Sequence, residues 1–209
     1  MSFKTLAKTA YTQVKRPWFF MGLCVIGIVL ATMFPSDLAS YRDEPRSQSP
    51  LVHGVENYGR FVTTAAQVGL PILMRDPVGV IQNIYIGLAG TALTHGLKHG
   101  LDSVTIFGVR VGERPHGGRY NMPSGHSSLA GCAVYFVGRR YGWKHLIYLI
   151  PITLLTMFAR VELDAHTWSA TIAGVLVGVL TAAAFTGIFR GSVSKRIQSL
   201  MKRIPLRSR

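Results

Sequence analysis

Two short stretches of this chain gather residues that could act on an anion. Residues 112–128 read GERPHGGRYNMPSGHSS and residues 159–167 read ARVELDAHT. Arg114 and Arg160 are permanently charged, planar guanidiniums shaped to hold phosphate in bidentate fashion. Lys98 adds a compact point charge. Pro123 suits the start of a helix, with Ser124 as its N-cap. The backbone N–H groups of Ser124 and Gly125 are therefore expected to lack partners and to face an anion. His126 falls in the first turn of that helix, and His166 opens the last apolar segment. Two imidazoles beside several cations make a phosphate site with a nucleophile and a proton donor. The cations would keep an imidazole neutral, which is the form that can attack phosphorus.

Elements must hold these groups together, and the composition limits what those elements are. The chain has 209 residues, enough for one domain, of which 48% are hydrophobic and 15% charged. A disordered chain needs the opposite balance. The 2 cysteines exclude a disulfide framework or a four-cysteine zinc site, and Cys24 and Cys132 read as small buried hydrophobes. Six apolar segments, 18–34, 61–74, 78–97, 124–138, 145–159 and 168–189, carry no charge apart from histidines at the edges. Spanning a bilayer takes roughly 20 such residues, with about 17 near the lower limit. Their Gly, Ala, Ser and Thr content suits helices packed on one another. The fold class expected is all-α, a polytopic membrane protein built as a six-transmembrane-helix bundle in a single domain over 1–209. Segment 1–17 precedes the first span, 35–60 connects two spans outside the membrane, and 190–209 is a basic tail. No A-x-A site follows 18–34, so that segment reads as a signal-anchor and not as a cleaved leader. Trp18, Trp143, Tyr148 and Trp168 sit near span ends, where an interfacial aromatic belt is expected.

The formal net charge of +14 could mean a nucleic-acid partner or a membrane. With six spans, fifteen Lys and Arg fall on the side of both termini and eight on the other, whereas eight of the nine acids fall on that other side. The positive-inside rule then places both termini in the cytoplasm. The excess charge is a topology signal with no nucleic-acid reader attached. For the tail it implies contact with anionic lipids. Both polar stretches lie on the outer side.

The residues Arg114-Pro115, then Pro123-Ser124-Gly125-His126, then Arg160 followed six positions later by His166, resemble the signature of the type 2 phosphatidic acid phosphatase superfamily. The flanking words MRDPVGVIQN at 74–83, GERPHGGRYNMPSGHSS and ARVELDAHT are similar to the short bacterial lipid A 1-phosphatases. The resemblance implies a multi-pass inner-membrane enzyme with its active site at the periplasmic face. It would remove the 1-phosphate of lipid A, lowering the surface charge that attracts cationic antimicrobial peptides. Its substrate partner is then lipid A or another lipid phosphate, in a membrane-lipid environment, with no cofactor and no metal. Undecaprenyl diphosphate phosphatase, phosphatidylglycerophosphate phosphatase and lipid phosphotransferase are the alternatives within the superfamily. His166 would be the nucleophile and His126 the general acid and base. Lys98, Arg114, Ser124, Gly125 and Arg160 would hold the phosphate oxygens.

Two positions depart from the family pattern. The family's lysine stands seven residues before the Arg-Pro, where this chain has Phe107, so Lys98 or Arg110 must serve. The family's orienting aspartate, four residues after the nucleophile, is here Ala170, leaving Glu162 and Asp164 as the candidate orienting acids. His95 and His99 have the spacing of two metal ligands without a third, and read as polar lining of a cleft. His116 and Arg119 could face either a sugar headgroup or solvent. Asp102 and Glu113 are expected to pair with nearby cations.

Overall fold

A computed structural model describes residues 2–42 and 46–189, and the basic tail 190–209 lies outside the described residues. The chain is mostly helical. Its helices are α1 Phe3–Thr12, α2 Trp18–Met33, α3 Ala39–Arg42, α4 Pro50–Gly54, α5 Arg60–Leu73, α6 Pro77–Leu101, α7 Gly125–Tyr141, α8 Leu146–Glu162 and α9 Trp168–Phe185. A π-helical turn, Val55–Gly59, leads into α5, and a short 3-10 turn, Trp143–His145, leads into α8. Between α6 and α7 sits a two-stranded hairpin, β1 Thr105–Ile106 paired antiparallel with β2 Val109–Arg110.

Local chemistry sets the helix ends. Asp76 caps α6, its Oδ1 accepting the Gly79 N–H at 3.0 Å, with Pro77 in the first turn where its missing N–H costs nothing. Thr167 caps α9 by accepting the Ala170 N–H at 3.3 Å. Gly142, at φ +115, ends α7 in a conformation that suits glycine.

The six apolar segments correspond to α2 and α5–α9, with several boundaries moved. Helix α6 runs on to Leu101, which puts Lys98 in its last turn. Helix α8 runs on to Glu162, so Arg160 belongs to a helix end and not to a loop. Helix α9 stops at Phe185, where Thr186 turns extended, short of the expected 189. Residues 3–12, read only as a leading segment, form a helix capped by Ser2, and Ala10 is buried. Among the described residues, two helical stretches are long and apolar enough to cross a bilayer, Trp143–Glu162 and Trp168–Phe185, and Trp18–Met33 is a shorter apolar helix. Broad exposure of Trp18, Phe19, Leu88, Trp143 and Ile147 leaves an apolar surface of the sort that contacts lipid.

Helix α7 is the hub, packed on α5, α8 and α9. Its approach to α9 is close enough that backbones touch: a Cβ on Gly131 would collide with the Val175 carbonyl, and one on Gly178 with the Ser128 carbonyl. Ile86, Cys132, Phe136, Val137, Leu149 and Ala182 form the larger buried cluster. A smaller one, Val111, Met122, Ala170 and Ala173, lies beneath the polar loops. At the far end of α7, Arg140 is buried against Asp76 (Nε to Oδ2, 2.6 Å; Nη2 to Oδ1, 2.7 Å) and also reaches Gln82 and the Gly187 carbonyl.

Candidate active site

One cavity brings the separated motifs together. It is lined by Lys98 from α6, Arg114 from the 111–124 loop, Gly125 and His126 from α7, Arg160 from α8, and His166 from the α8–α9 turn. Lys98 is 9% exposed, and its ammonium donates to the Tyr120 carbonyl at 2.8 Å. Arg110, its alternative, turns away and donates to the backbone and carboxylate of Asp102 at 2.9 and 3.3 Å. The first-motif cation facing the cavity is Lys98.

Asp102 also takes Arg119 and the Tyr120 N–H, and these contacts hold its carboxyl below the usual carboxylate range. Arg119 is thereby a loop-bracing residue. The Asp102 contacts fix the loop whose Tyr120 carbonyl receives Lys98.

Arg160 is 8% exposed and donates through Nη1 to Glu56 Oε1 at 2.7 Å. Glu56 comes from the π-helical turn, more than a hundred residues earlier in the chain. The buried Nε groups of Arg114 and Arg160 find no hydrogen-bond acceptor among the described residues. Burial first, and then the neighbouring Arg160, weigh against the charge on Arg114. An anion entering this cavity meets three cations whose hydrogen-bonding capacity is not used up.

His166 is 2% exposed, and its Nδ1 lies 2.7 Å from the Asn121 carbonyl. A carbonyl only accepts, so Nδ1 carries the proton and Nε2 keeps its lone pair. Burial pushes the His166 pKa well below the ordinary histidine value, and Lys98, Arg160 and Arg114 push it further, against the opposing pull of the Asn121 carbonyl. The imidazole is neutral at pH 7.

The orienting group is thus neither of the expected acids. Helix α8 ends at Glu162 and α9 begins at Trp168, so His166 and Glu162 do not share a helical face. Asp164 forms the intervening turn at φ +52, a conformation its short polar side chain tolerates, and faces Arg46 at 3.8 Å. Position 170 is closed to a carboxylate, because Ala170 packs against Val111, Met122 and Ala173. The Asn121 amide instead clamps Thr167: Oδ1 accepts the Thr167 N–H at 3.1 Å, and Nδ2 donates to Thr167 Oγ1 at 3.1 Å. That clamp holds the loop carbonyl against the residue next to His166.

Ser124 also departs from expectation. It stands at the N-cap position of α7 and is fully buried, but its side chain makes no capping bond: its N–H donates to the Ala170 carbonyl at 2.9 Å and its hydroxyl accepts from Ser127 at 3.1 Å. The packing of α9 on the start of α7 supplies an internal partner, leaving Gly125 at the cavity wall. His95 lines the cavity while His99 meets the Tyr120 ring edge-on at 4.9 Å, so the two do not act as a pair. Cys24 and Cys132 are buried as expected.

Asn121, Thr167, Tyr120 and Glu56 escaped the sequence reading. Two act through main-chain carbonyls, which leave no side-chain signature. Glu56 lies in the 35–60 connection, outside every motif.

The sequence pattern of the PAP2 superfamily matches residues 82–193, which include every cavity residue named above, while Glu56, the partner of Arg160, lies before it. The chain belongs to the PAP2 superfamily. Two proteins from different strains of Helicobacter pylori, each named lipid A 1-phosphatase, are 44% identical to it over 77% and 79% of this chain and 84% and 83% of their own lengths. A Helicobacter pylori protein named lipid A 4'-phosphatase is 35% identical over 56% of this chain and 59% of that protein. The crystal structure of a PAP2-type phosphatidylglycerolphosphate phosphatase from Bacillus subtilis aligns with a TM-score of 0.40 at 18% identity, covering 96% of this chain and 86% of that one.

Proposed function

We propose that this PAP2 protein is a lipid A 1-phosphatase. The observation that carries the reading is the convergence of Lys98, Arg114, Arg160, His126 and His166 on one cavity, in a chain 44% identical to proteins of that name.

In this reading the three cations hold the non-bridging phosphate oxygens and offset the charge that builds in the transition state. His166 Nε2 attacks phosphorus, and the bond from phosphorus to the anomeric oxygen breaks. His126 gives that oxygen its proton. His126 then takes a proton from water, whose oxygen attacks phosphorus and releases inorganic phosphate from His166. Glu56 orients Arg160, and Asn121 orients His166 through its carbonyl. Gly125 gives the phosphate a close approach to the start of α7.

The same reading places α2 and α5–α9 across the inner membrane with both termini cytoplasmic and the cavity periplasmic. The consequence for the cell is a less anionic outer surface and resistance to cationic antimicrobial peptides. The headgroup is tested by mass spectrometry of lipid A from cells with and without the gene. The expected result is loss of the 1-phosphate only where the gene is present, and an unchanged 1-phosphate refutes the assignment. Phosphate release in detergent by wild type and His166→Ala tests the nucleophile, with equal release by both rejecting it.

A further inference from the structure

The cavity continues well beyond the cations. From Lys98 it descends along one face of α6 through Thr94, Thr91, Gly90 and Gly87, positions spaced three and four apart. Facing them on α7 are Ser128 and Cys132, again at helical spacing below Gly125. Thr94 and Ser128 share a hydrogen bond of 2.9 Å across the two helices and Gly90 lies against Cys132, so these small residues form the floor of a trough of about 320 Å³. Gly87 has nothing within 4 Å of where its Cβ would stand. The eleven-residue drop from Lys98 to Gly87 is about 16 Å at ~1.5 Å per residue. That matches the depth of one leaflet, about half of a ~30 Å hydrocarbon core.

Charge is confined to one end. Below His95 the lining is uncharged, and the bottom is closed by Gln67, whose Nε2 is already engaged by Asn83 Oδ1 at 2.6 Å. At the top, Arg160 is more than nine-tenths buried with its Nε unpartnered among the described residues. An anionic head and a single extended apolar tail fit this shape. Thr91 and Leu129 are exposed along the trough, so a chain can enter sideways.

We infer that the trough between α6 and α7 binds one acyl chain of the lipid phosphate and limits the chain length the enzyme accepts. The inference rests on the reading of the cation cluster as a lipid-phosphate site, and it makes Gly87, Gly90 and Thr91 specificity determinants. A longer side chain at Gly87 occupies the space of the chain's far end without touching the phosphate cluster.

The test measures kcat/KM of the full chain in mixed micelles on glucosamine 1-phosphates carrying either tetradecanoyl or hexanoyl chains. Gly87→Leu is expected to lower the tetradecanoyl-to-hexanoyl ratio about tenfold, the scale on which a few methylenes in a pocket discriminate, with hexanoyl turnover held within about twofold. Thr91→Leu, at an exposed position of the same trough, should lower the ratio in the same direction. Gly96→Leu, on the same helix with open space at its Cβ and outside the cavity, should keep the wild-type ratio. A ratio unmoved in both Gly87→Leu and Thr91→Leu, or lowered equally by Gly96→Leu, overturns the inference. Phosphatidic acids with the same two chains separate the two readings. If they are hydrolysed while the glucosamine phosphates are not, and the Gly87→Leu effect persists, the headgroup assignment fails and the trough stands.

Discussion

Replacing Asn121 by alanine leaves its main-chain carbonyl in place and removes only the amide clamp. Both bonds to Thr167 are lost, and the weaker contact from Nδ2 to the Val111 carbonyl at 3.4 Å goes with them. Thr167 is 1% exposed, so its N–H is left buried without a partner, at a cost of about 1–3 kcal/mol. The 111–124 loop recovers that energy only by shifting relative to the α8–α9 turn, and the 2.7 Å contact that aims His166 shifts with it. Each ~1.4 kcal/mol spent on restoring an aligned imidazole lowers the rate tenfold. The expected outcome for Asn121→Ala is a kcat lower by about 10- to 100-fold. KM should stay within about threefold, because Lys98, Arg114 and Arg160 are untouched.

The assay is initial phosphate release in detergent from about pH 5 to 9, so that the acidic limb is captured. Asn121→Asp keeps an acceptor for the Thr167 N–H and should restore part of kcat. Its carboxylate near His166 favours the imidazolium, so the acidic limb should move to higher pH. A purely structural role for Asn121 would scale the rate without moving that limb. Wild-type kcat in Asn121→Ala, or equal losses in both variants with an unmoved limb, would refute the orienting role.

Two other expectations follow from buried polar groups. Arg140→Ala strands the Asp76 carboxylate, which also caps α6, and should destabilise the fold by about 3–5 kcal/mol. Thermal denaturation in detergent checks it, and Arg140→Lys should recover little, since an ammonium cannot reproduce the forked contact with both Asp76 oxygens while also reaching Gln82 and Gly187. His166 sets a pH dependence of stability. As pH falls through about 6.5 the unfolded chain binds a proton there and the native chain does not, because the folded pKa is depressed. Stability should therefore fall on acidification below that point, and the slope should be shallower in His166→Asn; identical slopes contradict the buried neutral histidine.

The motif residues of the site could be named before any fold was known, because phosphate chemistry needs particular side chains and Lys98, Arg114, His126, Arg160 and His166 announce themselves in a chain so poor in charge. Helix positions were legible for a similar reason: an uncharged run between polar boundaries has one stable solution in lipid, a helix that satisfies its own backbone. Which partner each group takes was another matter. The backbone N–H of Ser124 belongs to Ala170, the imidazole of His166 belongs to a main-chain carbonyl, and Arg160 belongs to Glu56, and each pairing depends on how α7, α8, α9 and the loops between them pack. Every residue carries the same carbonyl and almost every one the same N–H, so a bond made by the backbone leaves no mark in the sequence. The aspartate missing at position 170 looked like a gap in the chemistry. In three dimensions Ala170 is the small residue that lets α9 close on the loop, and the closure itself delivers the acceptor that His166 requires.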